Sequence, residues 1–185
     1  MSFPRSPLQY NIVSCIKKLS ITCYLVGNIK PCLSISTLMI TYHSIFHSIM
    51  SYGIIFYGNS SQSSVIFKMQ KRVIRIIMEC GHRESCRELF KELKILPLSS
   101  QYTFSSLLFV VNKRDYFVSN SVCHNINTRQ RNDLHLPQVT LAMYQKGVYC
   151  SGIKIFNGLP KSIKDISSKP KKLHSKDLST YILIL

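Results

Sequence analysis

The segment from Val65 to Cys80 constrains the fold more than any other, because its residue types sort cleanly by angle around a helix. At about 100° per residue, Lys68, Lys71, Arg72 and Arg75 fall within about 100° of arc. Ile66, Met69, Val73, Ile76, Ile77 and Cys80 take the opposite side. One side of this helix is cationic and the other needs a core. Gly81 stands where a helix C-cap is expected.

The flanking segments carry the same period. From Leu8 to Ile29 the apolar positions Ile12, Ile16, Leu19, Cys23 and Val26 recur every three or four residues, and Pro31 predicts the end of that helix. Ser36 is placed to cap a second helix reaching toward Phe56, with Leu38, Tyr42, Ile45, Ile49, Tyr52 and Phe56 on one side. Gly58, Asn59 and the serines around Gln62 interrupt it. Ser85 followed by Glu88 matches the capping box of a short helix through Leu93. Beyond Pro97, another apolar helix is expected from Leu98 to Arg114. The chain therefore reads as mainly α. Residues 119–140, rich in Asn, Ser and His, read as a linker between a helical bundle over 10–118 and a small tail over 141–185. Residues 1–9 and part of the tail read as disordered.

A chain of 185 residues with 45% hydrophobic and 17% charged residues can bury a core, and is too short for a complete multidomain polymerase. Its 24 lysines and arginines against 8 carboxylates give a net charge of +16. Such an imbalance favours a polyanionic partner through counterion release. The first carboxylate in the chain is Glu79, so chemistry that depends on acids is excluded from everything before it. Seven cysteines form no C-x-x-C pair and no regular framework, which predicts reduced thiols in an intracellular protein, cytoplasmic or nuclear. The nearest thing to a membrane span, Ile35 to Tyr57, includes His43, His47 and several serines, and so suits a protein core better than a bilayer.

Catalytic constellations are absent from the sequence. Two-metal phosphoryl transfer needs converging carboxylates. The acids here are Glu79, Glu84, Glu88, Glu92, Asp115, Asp133, Asp165 and Asp177, with no two adjacent. Glu84, Glu88 and Glu92 alternate with Arg83, Arg87 and Lys91, the pattern of a solvated, salt-bridged helix. His43 and His47 lack the glutamate of H-E-x-x-H, and Cys80, His82 and Cys86 lack a fourth ligand. Neither a Gly-rich phosphate loop nor G-x-S-x-G occurs, so neither a cofactor nor a metal is implied.

What is left is the basic surface. Lys68, Lys71, Arg72 and Arg75 are the first candidates for phosphate contacts. Arg83, Arg87, Lys113 and Arg114 come next, and Arg129, Arg131 and Lys146 follow in the loop and tail. Phe67 is the one aromatic residue within the basic helix, so base stacking there has little support.

Four blocks of sequence add something more specific. YHSIFHSIMSYGIIFYGNSS (Tyr42 to Ser61) precedes FKMQKRVIRIIMECGHRESCRELFKELKILPLSSQYTFSSLLFVV (Phe67 to Val111), and NTRQ (Asn127 to Gln130) and YQKGVYCSGIKIFNGLP (Tyr144 to Pro160) follow. In this order they resemble the C-terminal part of the reverse transcriptases of jockey-like non-LTR retrotransposons, over about residues 10 to 170. Tyr57 stands where that family usually has Trp, and the residues from about His174 depart from its final helix.

The resemblance implies a thumb-like helical bundle and the connecting region beyond it, which grip a template–primer duplex. The family's aromatic-x-Asp-Asp palm motif is not in this chain. The expectation is therefore a catalytically incomplete fragment of an RNA-directed DNA polymerase, holding RNA–DNA or DNA duplex without sequence preference. The alternatives are a module docking on a separate palm-containing partner and a non-functional product of a decayed element. A membrane-associated basic protein ranks last.

Overall fold

The computed structural model describes residues 7–124, 129–160 and 164. The protein is mainly helical, with no strand among the described residues apart from an isolated antiparallel bridge between Ser119 and Leu134. It divides into two compact units, residues 1–99 and 100–185.

In the first unit, α1 (Pro7–Ile29) begins with proline in the first turn, where its missing N–H costs nothing. Its stripe is the expected one: Ile12, Leu19, Cys23 and Val26 are buried and Ile16 is half-buried. The helix starts before residue 10; residues 1–6 lie outside the described residues. A 3-10 turn over Lys30–Cys32, containing Pro31, closes it. The next helix, α2 (Ile35–Thr41), is capped by Ser34 and not by Ser36: the Ser34 hydroxyl accepts from the Thr37 N–H at 3.4 Å.

From α2 the chain continues through a π-helical stretch, Tyr42–His47, into α3 (Ser48–Ser51). This stretch moves the buried side. Leu38, Tyr42, Phe46, Met50, Ile54 and Tyr57 face the core, while Ile45, Tyr52 and Phe56, expected inside, are exposed. The wider i→i+5 turn slows the angular advance per residue, so positions four apart stay in line where a regular helix would rotate them away. The helix also stops short of Phe56. Tyr52 (φ −63, ψ 113) and Gly53 (φ 69, ψ 15) form a type II turn, whose third position favours glycine. A single turn, α4 (Ile54–Tyr57), follows, tied back by the Tyr57 hydroxyl donating to the Met50 carbonyl.

The basic helix is α5 (Ser63–Met78), packed against α1. The Cys23 thiol donates to the Met69 carbonyl at 3.7 Å and Lys30 pairs with Glu79 at 2.9 Å, so the two helices lie side by side in the same sense. The helix ends at Glu79 in the left-handed region (φ 58), and not at Gly81. Cys80, expected on its apolar stripe, is beyond the helix and half-buried. Its N–H donates to the Arg75 carbonyl at 3.1 Å, closing the last turn early. α6 (Arg87–Glu92) has Cys86 at its N-cap. The expected capping box is replaced: Ser85 accepts from the Arg87 N–H at 3.4 Å, and Glu88 pairs with Lys91 at 3.2 Å.

The long helix α7 (Leu98–Asn112) ends before Arg114, which starts a 3-10 turn, Arg114–Tyr116. The second unit adds α8 (Asn120–His124), α9 (Ala142–Gln145) and α10 (Val148–Asn157). Its core gathers Leu107, Val110, Phe117, Leu134, Ile153 and Phe156. The division between the units falls at Ser99–Ser100, within α7, and not in the polar stretch 119–140. That stretch is tied into the second unit through Leu134, which is buried. The Leu134 N–H donates to the Asn157 side-chain oxygen, and the Asn157 amide donates to the Leu134 carbonyl, each at 2.9 Å. The tail beyond Pro160, with the Lys169–Lys172 run and the terminal YILIL, lies outside the described residues apart from Lys164. Lys164 bonds Asp133 at 2.9 Å.

Candidate nucleic-acid interface

The azimuth of α5 is set by what it buries. Ile66, Val73, Ile74 and Ile77 form the core side, with Gln70 fully buried among them. Gln70 is the residue that pattern reading passes over. Its amide donates to the Tyr42 hydroxyl at 3.1 Å and to the Leu96 carbonyl at 2.9 Å, and its side-chain oxygen accepts from the Leu98 N–H at 2.9 Å. A polar residue in the centre of an apolar arc was the available signal. Burial keeps the hydroxyl protonated: it pushes the Tyr42 pKa up to about 12, and that of the Cys23 thiol up to about 11.

With the core side fixed, the cationic arc is turned outward. Lys68 and Arg72 are exposed, and Lys71 and Arg75 are half-buried. The Lys71 ammonium sits 4.8 Å from the centroid of the Phe67 ring, a cation–π contact that holds its stem along the helix. Arg75 has a second job. Its Nε and Nη2 donate to the Glu84 carbonyl at 3.1 and 2.6 Å, latching the loop after α5 onto the helix. The Cys86 thiol adds a bond to the Lys71 carbonyl at 3.8 Å. These ties attach the segment carrying exposed Arg83 and Arg87 directly to the basic helix. The neighbouring carboxylates are partly engaged: Glu84 accepts from the Gly81 N–H, Glu88 pairs with Lys91, and Glu79 pairs with Lys30.

The second unit carries the remaining candidates. Lys113, Arg114, Arg129, Arg131 and Lys146 are all exposed. The Arg114 guanidinium lies 4.9 Å from the Phe156 ring centroid, and partial burial lowers its pKa from the usual arginine value while leaving it a cation. The Arg131 carbonyl accepts from the Ser121 N–H at 3.0 Å, fixing the loop backbone there. Lys146 closes α9. The sequence candidates thus fall into two sets, one on each unit.

Chemically, the first set offers fixed positive charge and no reacting group. Among the described residues no three His, Cys, Asp or Glu side chains converge on a metal-sized site. The His43 and His47 rings lie 5.6 Å apart, with Ser51 within reach of His47. Among the described residues one helical segment, Asn11–Cys32, is long and apolar enough to cross a membrane, in place of the Ile35–Tyr57 run, which is broken at Gly53. No protein-family model, no curated protein and no solved structure matches the chain.

Proposed function

We propose that this chain is a catalytically incomplete piece of a jockey-like retrotransposon reverse transcriptase, whose capacity is to hold template–primer duplex through its phosphates. The observation that carries the binding half is the exposed cationic arc of α5, on a helix without a single carboxylate. Phosphate contacts of this kind bring affinity without sequence preference. The four sequence blocks support the origin, and the chain lacks the palm motif that would build a strand.

Two assays test the two halves. The purified chain is expected to bind an RNA–DNA hybrid with an affinity that falls by about 0.9 log unit per log unit of salt for each phosphate contacted. It is expected to extend no primer on an RNA template. Salt-independent binding, or extension, overturns the corresponding half.

A second reading has its own observation. On the side of α1 away from its buried stripe, Ile21, Tyr24 and Leu25 are exposed together. Apolar clusters of this kind mark docking surfaces. A separate polymerase fragment carrying the palm would fit there, and a stable, salt-indifferent hetero-complex seen by mass in solution would favour this reading over duplex binding.

A further inference from the structure

A groove of about 760 Å³ opens in the first unit, between α1 on one side and α3 and α4 on the other. Its size lies in the range of small-ligand sites. Its frame is anchored from two directions. The Cys15 thiol donates to the Ile49 carbonyl at 3.7 Å, and the Tyr57 hydroxyl to the Met50 carbonyl.

The lining is mostly apolar, with Ile12, Cys15, Ile49 and Tyr57 along it, and three further kinds of group are set into it. Tyr52 and Phe56 are aromatic rings left 85% and 60% exposed, the outcome of the π-helical stretch and of the turn at Tyr52–Gly53 that follows it. Asn11, Ser14 and Ser48 are neutral and polar, and Lys18 supplies the one charge. Among the described residues Lys18 has no carboxylate partner, and Lys17 stands beside it in sequence. No carboxylate occurs anywhere in the chain before Glu79. An anionic occupant therefore meets attraction at Lys18 and no repelling group on the walls.

We infer that this groove takes an unpaired nucleotide of a single-stranded nucleic acid, its base against Tyr52 and Phe56 and its phosphate toward Lys18. Exposed aromatic rings beside a cation are the arrangement by which single strands are held without sequence preference. An acyl chain would match Ile12 and Ile49 but leave Asn11 and Ser14 facing hydrocarbon, which polar groups resist; the Ser48 hydroxyl is already bonded to the Ser44 and Ile45 carbonyls. Asn11 and Ser14 are the groups left to meet a ligand. A base edge offers them donors and acceptors. The inference extends the duplex reading to unpaired strand, and stands on residues separate from the α5 arc.

The chain contains no tryptophan, so Tyr52→Trp puts a single indole on the groove wall. Titration with an eight-nucleotide oligothymidylate is expected to quench its fluorescence saturably. Phe56→Ala is expected to weaken binding about tenfold, the scale of one lost stacking partner, with Phe56→Tyr retaining it. Lys18→Glu should weaken it several-fold. An abasic oligomer of the same length, with the same phosphates, should bind at least tenfold less tightly. Equal affinity for the abasic oligomer overturns the proposal, as does an unchanged affinity in a folded Phe56→Ala protein. A tryptophan blue shift with anionic phospholipid vesicles and no response to oligothymidylate assigns the groove to lipid and overturns it too. Replacing Lys68 and Arg72 by alanine should weaken hybrid duplex and spare oligothymidylate binding, so failure of one reading is distinguishable from failure of the other.

Discussion

The Gln70 side chain donates to the hydroxyl of Tyr42 across 3.1 Å, in a place where both residues are fully buried. The same amide reaches the Leu96 carbonyl, and its oxygen receives the Leu98 N–H. One side chain thus joins the π-helical stretch, α5 and the start of α7. A satisfied buried network specifies one packing, since any slip of α5 would strand three polar groups. Gln70→Leu keeps roughly the volume and removes all three bonds, leaving the Leu98 N–H and Leu96 carbonyl without this partner. The expected loss is about 2–4 kcal/mol of stability, read from urea unfolding. A loss under about 0.5 kcal/mol would mean the network contributes little.

Gly152 on α10 faces Val110 on α7, and a Cβ added there would come within 2.8 Å of the valine methyl. Both residues belong to the second unit and both are buried. Gly152→Ala should therefore overpack the contact and destabilise by about 1–3 kcal/mol, despite alanine's better helix propensity. Val110→Ala alone also destabilises, by opening a cavity. The double variant should recover part of the loss, a coupling measurable by a double-mutant cycle in thermal or urea unfolding. Strict additivity would show that the helices move apart freely.

The four cations of α5 are not equivalent. Lys68 and Arg72 are exposed, whereas Arg75 spends two N–H groups on the Glu84 carbonyl. Replacing Lys68 and Arg72 together by alanine is expected to lower the slope of log affinity against log salt for hybrid duplex by about 2. Arg75→Ala should change that slope less and instead loosen the loop around Glu84, seen as faster amide exchange over residues 80–86. A slope change of about 1 for Arg75→Ala, half that of the double variant, would return Arg75 to the binding surface.

The helices were legible where burial follows a regular period. The α1 stripe, and the outward turn of Lys68 and Arg72, come straight from 3.6-residue spacing. The side of the second helix was not legible, because the π-helical stretch Tyr42–His47 changes the period itself, and nothing in YHSIFH announces a wider turn. That shift, together with the turn at Tyr52–Gly53 that ends the helix, left Tyr52 and Phe56 outside and so created the aromatic wall of the groove. Caps were misplaced by two residues for a related reason. Ser34 and Ser36 are both competent, and their hydroxyls bond one another at 2.8 Å, so the choice depends on where the chain leaves Pro31. The second unit's polar stretch was misread because composition cannot reveal that Asn157 would claim both backbone groups of Leu134.

Buried thiol and phenol groups give the first unit an alkaline limit, Cys23, Tyr42 and Tyr57 among them. Desolvation raises the Cys23 thiol from 9.0 to about 11 and the Tyr42 hydroxyl from 10.0 to about 12. Between the ordinary and the raised values the folded chain keeps protons that the unfolded chain has released. The unfolded state then binds fewer protons, so stability falls as pH rises. The contribution of Cys23 and Tyr42 is intact below pH 9 and is lost progressively between about pH 9 and 12. Urea midpoints measured across that range should decline for the native protein. Cys23→Ala should flatten the decline between pH 9 and 11 while lowering the midpoint at neutral pH, because it leaves a small cavity. If the variant declines as steeply as the native chain in that interval, the Cys23 thiol titrates as freely folded as unfolded, and its seat against the Met69 carbonyl is open to water.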